Sequence, residues 1–509
     1  MTKIQVTSST SIFHALLYQQ SIKITENCRI TQEKFFAYCD NTSIYHRIDH
    51  KIRKSMHQNL QTLQSELQRD YNNVRAATLE LCSPLAIEDY VIQTAPFMSP
   101  PRWHAGHTSW FFEMLLTKFM PEYKIHSEEF LYYFNSYYEG FGTRINRQKR
   151  GSVSRPTVHE TMLYRSRIDG HVNILLERMP THPEGQEIAR LLRLGLEHEM
   201  QHQELLVYDI KHLLADEYTP LEMNPLPKSH QTIDGEVEFP ATLMELGTNF
   251  NDHAFAWDNE CPRHTAYVNA FALDKRLVTN AEYLEFMRSG GYTDYRWWLS
   301  AAWEWLKTEQ INAPMYWEQS ESSDKASNNA SNDAAWQIRD YRGLRSADNN
   351  EPVTHVSYYE AAAYAKWRGK RLPTEVEWEY ACTYDGNGNG TKRHFPWGNE
   401  ELRASHGNLF ENKLWCAAEA GAFVDGFTPH GVWQMIGDVW EWTTSDYAPF
   451  PGFRSQFDEY NDKWFVGQKV LRGGSYATPR MSTRSTYRNF FAPSDRWMVS
   501  GFRCARTLG

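Results

Sequence analysis

At 509 residues, 41% hydrophobic and 23% charged, with a net charge of −10, the chain has the composition of a water-soluble protein long enough for two or three cored domains. It has no apolar run of about eighteen residues and no lysine and arginine tract fit to follow a phosphate backbone, which argues against a membrane span and a nucleic-acid partner. Seven scattered cysteines, never in C-x-x-C spacing, argue against a disulfide framework and a cysteine-built zinc site, and the opening MTKIQVTSSTSIFHALLYQQ lacks the pattern of a secretory signal, so the expected location is the cytoplasm.

Residues 1–50 carry weak periodicity and no motif, and read as an N-terminal extension. From about 50 to 80 apolar residues recur every three or four positions among charges, predicting a helix that Ser83 and Pro84 end. A second helix is expected after Pro100 and Pro101, prolines being tolerated where helix N–H groups have no intrahelical acceptor. It carries His104 and His107 on one face. Residues 128–155 begin helical, then break at Gly140 and Gly142 into a basic stretch. It holds Tyr137 and Tyr138 together with Arg144, Arg147, Arg150 and Arg155, and by itself reads as a solvated connection. Helices over about 156–179 and 184–215 complete a four-helix bundle over 51–216, an architecture that builds metal sites from facing side chains.

The last of these helices contains LEHEMQHQELL. His198 and His202, at i and i+4, project from one face and suit two ligands of one metal ion, with a third needed from elsewhere. The same residues spell H-E-x-x-H, in which Glu199 would be the base of a zinc protease. However, Leu205 and Tyr208 stand where one protease class needs glycine and histidine, and Glu222, the acidic alternative, lies in a proline-containing segment. Two bundle histidines without a metal are the plainer alternative.

Residues 217–240 contain four prolines and no periodicity, and read as a linker. From 241 to 509 the pattern changes to short β-prone pieces and two short helices with capping-box starts at Thr279 with Glu282 and Ser357 with Glu360. Sixteen of the eighteen tryptophans fall after residue 250, so the two halves are built differently. The stretch 318–350, asparagine-rich at its start, reads as a surface insertion.

PVTHVSYYEAAAYAKWRGKRLPTEVEWEYA (352–381), GDVWEWTTSDY (437–447), LRGGSYATP (471–479) and GFRCAR (501–506) resemble the formylglycine-generating-enzyme-type domain, a C-type-lectin-like α+β fold. Together with RAATLELCSPLAIEDYVIQ, SPPRWHAGHTSWFFE, AFAWDNECPRH, TYRNFFAPSDRW and the paired-histidine block, they make residues 70–509 resemble the iron-dependent sulfoxide synthases of ergothioneine biosynthesis. The implied fold class is a DinB-like four-helix bundle followed by the C-type-lectin-like domain. The implied reaction joins a thiol, cysteine favoured over γ-glutamylcysteine, to C2 of Nα-trimethylhistidine (hercynine) with O2. Imidazole does not select iron over zinc, copper or nickel. The resemblance does, and implies Fe(II) on His107, His198 and His202, with His104 in support and Glu199 relieved of a protease role. It further implies that Gln201 holds the substrate imidazole, that Tyr137 or Tyr138 donates a proton, and that Asn489, Phe490 and Phe491 recognise the substrate. Carboxylates of the substrates call for arginines with fork geometry, for which Arg155, Arg488 and Arg503 are candidates. Trp440 and Trp442 read as structural. The competing readings are a selenoneine synthase using a selenosugar, an ovothiol-type synthase acting on C5 of histidine, a DinB-like zinc hydrolase or thiol transferase, and a catalytically inert binding module. The ovothiol type commonly carries a further methyltransferase domain, which this chain does not show.

Overall fold

The computed structural model describes residues 42–136, 140, 142–214, 217–229, 231–250, 252–320, 336–384, 392–457 and 460–509, with 42–57 described as helix backbone only. The chain divides into Met1–Leu63 and Gln64–Gly509. Helix α1 (Thr42–Cys82) begins in the first unit and ends in the second, and all other described elements belong to the second.

Helices α2 (Pro101–Phe119), α4 (Val158–Arg178) and α5 (Gly185–Leu214) pack with the latter part of α1 as a bundle, and the short α3 (Glu128–Phe134) lies against α2. All four expected bundle helices form, each within a few residues of its expected limits except α1, which starts earlier. The local causes are visible in the sequence. Pro101 opens α2, where no N–H is missed. Thr157 and Glu160 form a reciprocal capping box at the start of α4. In α5, Ile188, Leu192, Leu196, Met200 and Val207 are buried along one stripe, the apolar face the pattern requires.

Two glycines set how closely these helices approach. A Cβ on Gly106 would stand 2.0 Å from the Phe134 ring, and one on Gly195 would stand 2.5 Å from the Phe112 ring. The first contact matters most, because it lets α3 sit directly on the turn of α2 that carries His107.

The second half contains β1 (Glu236–Phe239), β2 (Thr242–Leu246), β3 (His264–Val268), β4 (Phe271–Asp274), α6 (Asn280–Arg288), α7 (Ser300–Thr308), β5 (Trp317–Gln319), β6 (Trp336–Asp340), β7 (Gly343–Ser346), α8 (Tyr358–Trp367), α9 (Glu375–Thr383), β8 (Trp440–Asp446), β9 (Lys469–Arg472), β10 (Asn489–Phe491), β11 (Ser500–Gly501) and β12 (Ala505–Thr507). The strands form sheets ordered β1-β4-β12, β10-β9-β8-β11, β2-β3 and β5-β6-β7. Phe239, Phe271, Leu273, Trp378, Met435 and Ile436 are the centre of its core. Both expected capping boxes form, on α6 and α8, and a third, Thr374 with Glu377, starts α9. Two of the most buried arginines in this half are paired, as low dielectric demands: Arg472 with Glu379 and Arg503 with Glu441.

The 318–350 stretch is more than an insertion. Its asparagine-rich centre, 321–335, lies outside the described residues, but β6 and β7 fall within it, and Ile338, Asp340 and Tyr341 are buried. Tyr341 donates its hydroxyl hydrogen to the Val207 carbonyl of α5 at 2.5 Å. Strands of four or five residues beside a polar run give too little alternation to be read from sequence.

Cys82, Cys261, Cys382, Cys416 and Cys504 are buried and unbonded. Burial pushes the thiols of the first four up to about 12. No described helix is long and apolar enough to cross a membrane.

The Gly106 contact yields a direct expectation. Gly106→Ala forces Phe134 aside, an overpacking that costs about 1–3 kcal/mol. Urea unfolding should show the loss, and an unchanged midpoint would mean that α3 does not need this close approach.

Candidate metal centre

Three histidines from two helices meet in the bundle. His107 comes from α2, and His198 and His202 from successive turns of α5. One ring nitrogen from each lies within 4.8 Å of the other two, a grouping that can hold a metal ion. The Nε2 atoms of His107 and His198 are 3.2 Å apart, the separation expected of two ligands each about 2.1 Å from one ion.

The proton positions favour coordination. His107 Nδ1 is 2.5 Å from the Phe134 carbonyl oxygen; since a carbonyl only accepts, Nδ1 carries the hydrogen and Nε2 is left bare. Burial holds His107 and His202 well below the ordinary imidazole range and His198 at about 3, helped by the other histidines around them. All three are therefore neutral, the form that binds metal. Trp103 stacks on the His107 ring at 4.5 Å between centroids, Trp110 stacks on it at 5.6 Å, and Phe111 lies 4.5 Å from His198. Among the described residues the donor set is thus three uncharged ligands confined by aromatic rings, which fits a divalent metal that keeps open positions.

Glu199, between the two α5 histidines in sequence, points elsewhere. Its carboxylate accepts from Arg75 at 2.9 Å, Arg165 at 2.6 Å and the Thr78 hydroxyl at 2.7 Å. Burial by itself would raise this carboxyl, but Arg165 and Arg75 hold it at about 2. A carboxylate so engaged cannot serve as the base of a zinc protease, and the H-E-x-x-H reading fails on geometry.

The histidines open into a cavity of about 350 Å³ shared by α5, the 136–150 region and strands of the second half. Gln201, Asn489, Phe490, Phe491 and Arg488 all line it. Gln201 donates through Nε2 to the Tyr487 hydroxyl at 2.6 Å and accepts from the Tyr460 hydroxyl, so its amide orientation is set by two tyrosines. Phe490 stacks on Tyr447 at 4.0 Å, and Phe491 meets Trp497 edge-on.

Other expected residues are placed differently. Arg488 is 1% exposed, and its guanidinium is committed to Glu375 and to the carbonyls of Asn259 and Ala448, so it holds β10 rather than a ligand. Arg503 is likewise taken by Glu441. Arg155 is exposed and donates to its neighbour Ser154, away from the cavity wall. Trp442 donates to the Val356 carbonyl, a structural role, while Trp440 donates to Glu204, which does line the cavity. Tyr137 and Tyr138 lie outside the described residues.

The cavity also contains groups that sequence reasoning missed. Arg150, from the supposedly solvated stretch, is buried, stacks 3.3 Å over Trp103 and donates to Ser99 and Ser136. Arg147 lines the wall beside it. Tyr460 stacks on Trp257 at 4.8 Å and lies edge-on to His198. Glu204 accepts from Tyr208 and Trp440, and burial raises its carboxyl. Glu204 lies in the paired-histidine block and Tyr487 in TYRNFF, whereas Arg147, Arg150 and Tyr460 carry no periodic signal.

Comparison with known proteins agrees with this architecture. Residues 70–206 match the DinB superfamily and residues 222–508 the sulfatase-modifying factor enzyme 1-like domain. The hercynine oxygenase of Mycobacterium tuberculosis is 39% identical over 263 residues, covering 51% of this chain and 58% of that protein. The Mycolicibacterium thermoresistibile enzyme of the same name is 36% identical over 315 residues (60% and 67%), and that of Mycolicibacterium smegmatis 35% over 339 residues (65% and 74%). The chain thus spans 58–74% of the length of these relatives.

Removing one partner of a buried ion-pair network typically costs about 3–5 kcal/mol. Glu199→Gln, which takes from Arg165 its carboxylate partner and leaves Arg75 only Asp169, should lose that much in urea unfolding of the metal-free protein. A neutral result would return Glu199 to consideration as a group free for chemistry.

Proposed function

Since the chain belongs to the hercynine oxygenase family, we propose that it is a non-heme Fe(II)-dependent sulfoxide synthase joining a thiol, cysteine favoured, to C2 of hercynine with O2. The balance is one thiol, one imidazole C–H and one O2 to one sulfoxide and one water. The S–H and C–H bonds break, a C–S bond forms, one oxygen atom goes to sulfur and the other leaves as water. The observation that carries the reading is the face of three neutral imidazoles, His107, His198 and His202, opening into a cavity walled by aromatic side chains and arginines.

Fe(II) on those three nitrogens would supply the redox chemistry with O2. The remaining work falls to the protein. Gln201, with both ends of its amide held by tyrosines, retains one N–H and one lone pair to orient the hercynine ring. A trimethylammonium group has no hydrogen to donate and is best held by aromatic faces, a role for Phe490 and Phe491 with Asn489 beside them. Arg147, on the cavity wall, is proposed to donate to a substrate carboxylate, in place of Arg155 and Arg488. Tyr137 or Tyr138 is proposed as the proton donor that directs the outcome to C–S coupling; they follow Ser136, a residue of the cavity wall.

Protein purified without oxygen and loaded with Fe(II) should consume O2 only when a thiol and hercynine are both present, and mass spectrometry should find the coupled sulfoxide. Turnover with zinc in the absence of O2, or coupling of a selenosugar or of unmethylated histidine in preference, would reject the reading. A positioned proton donor contributes about 10²–10⁴-fold, so Tyr137→Phe or Tyr138→Phe should lower coupling by that order while thiol dioxygenation rises.

A further inference from the structure

His104, one turn before His107 on α2, is 2% exposed and is not among the three grouped nitrogens. Its Nδ1 lies 2.9 Å from His202 Nδ1, and its Nε2 lies 2.9 Å from Asp209 Oδ2. Asp209 is 1% exposed, and the same Oδ2 accepts from the Ser99 backbone N–H at 2.9 Å.

The direction of this chain follows from what each atom can do. A carboxylate only accepts, so His104 Nε2 carries a hydrogen and donates it to Asp209. In the His104 tautomer with that single hydrogen, Nδ1 is bare and accepts, and the hydrogen comes from His202 Nδ1. That leaves His202 Nε2 bare and able to bind a metal ion. The spacing explains why an intermediary is present. Asp209 lies seven residues beyond His202, on the same face of α5 but about 10 Å along its axis, beyond the reach of a direct hydrogen bond. The imidazole of His104, with nitrogens on opposite edges, spans the gap.

Packing does not require the arrangement. Asp209 Oδ1 is buried with no hydrogen-bond partner, a costly condition in an apolar interior. A leucine would fill the position without that cost.

We propose that Asp209 and His104 are positioning residues for His202, a carboxylate–histidine relay that fixes the tautomer and ring orientation of one metal ligand from two groups away. The proposal rests on the reading of His107, His198 and His202 as a metal centre. His107 has its own fixed acceptor, the Phe134 carbonyl, whereas His198 Nδ1 is buried without a partner. The three ligands therefore differ in how firmly they are held, and His202 is the one oriented by a charged group.

The test is Co(II) affinity, measured on the full chain by competition with a chromophoric chelator, together with the visible spectrum of bound Co(II) and the thermal melting of the metal-free protein. Groups supporting a ligand typically contribute 10–100-fold in metal affinity. His104→Phe, which keeps a ring but offers no acceptor, and Asp209→Leu should each weaken Co(II) binding by about 10- to 100-fold and alter the spectrum. His104→Gln, whose amide can accept from His202 and donate to Asp209, should recover most of the affinity. Equal loss in His104→Gln and His104→Phe would overturn the proposal in favour of simple packing, and so would wild-type affinity in His104→Phe. Should Asp209→Leu fail to fold, Asp209→Asn takes its place, with an intermediate loss expected and unchanged affinity counting against the relay. His198→Ala separates the two levels: wild-type Co(II) binding there would overturn the metal centre itself, whereas intact loss there with unaffected His104 variants would remove only the relay.

Discussion

The neutralisation of Glu199 is the condition on which the rest of the site depends. A helix that presents two neutral imidazoles to a cavity brings the intervening residues into the bundle as well, and here one of them is an anion with no exposed surface. Arg75 from α1 and Arg165 from α4 close on it from the side away from the cavity. They discharge its field within a closed network that also engages Asp169 and Ser109. Without those guanidinium groups, a buried carboxylate beside His198 would draw a proton onto the ligand rather than leave it free. The same network ties α1, α4 and α5 together, so the charges that balance Glu199 beside His198 also hold the bundle in register.

Helix α5 serves both halves. Gln201, Glu204, Val207, Lys211 and His212 make hydrogen bonds to Tyr487, Trp440, Tyr341, His355 and Tyr316 respectively, all from the second half. The cavity is therefore formed between one wall that carries the histidines and another that carries the aromatic strands. The tyrosines that fix Gln201 belong to the second wall. The candidate metal ligands and the aromatic wall thus come from two folds but meet on one helix.

Much of this was legible from the sequence where a repeat or a fixed spacing recorded it. The bundle helices follow from apolar periodicity and caps, and His198 with His202 from a four-residue step. His107 needed the resemblance, because a single histidine among aromatics has no spacing of its own. What escaped were side chains whose roles come from tertiary placement. Arg150 and Arg155 look alike in a basic stretch, yet one stacks on Trp103 and the other faces solvent. Arg488 lies in the right block, but its fork is already filled by Glu375. Tyr460 sits in an irregular segment between β8 and β9 and is recognisable only once it is seen against Gln201 and His198.

The buried cysteines acquire a chemical meaning in this setting. If the chain works as proposed, a thiol and O2 would meet in its cavity, reagents that would readily attack the protein's own thiols. Thiolate character and access decide which thiols oxidise. Each described cysteine is buried with its thiol held firmly protonated, and none lines the cavity of the three histidines. Among the described residues, the protein therefore offers no accessible thiol of its own to compete with such a substrate, a form of self-protection built from ordinary hydrophobic packing.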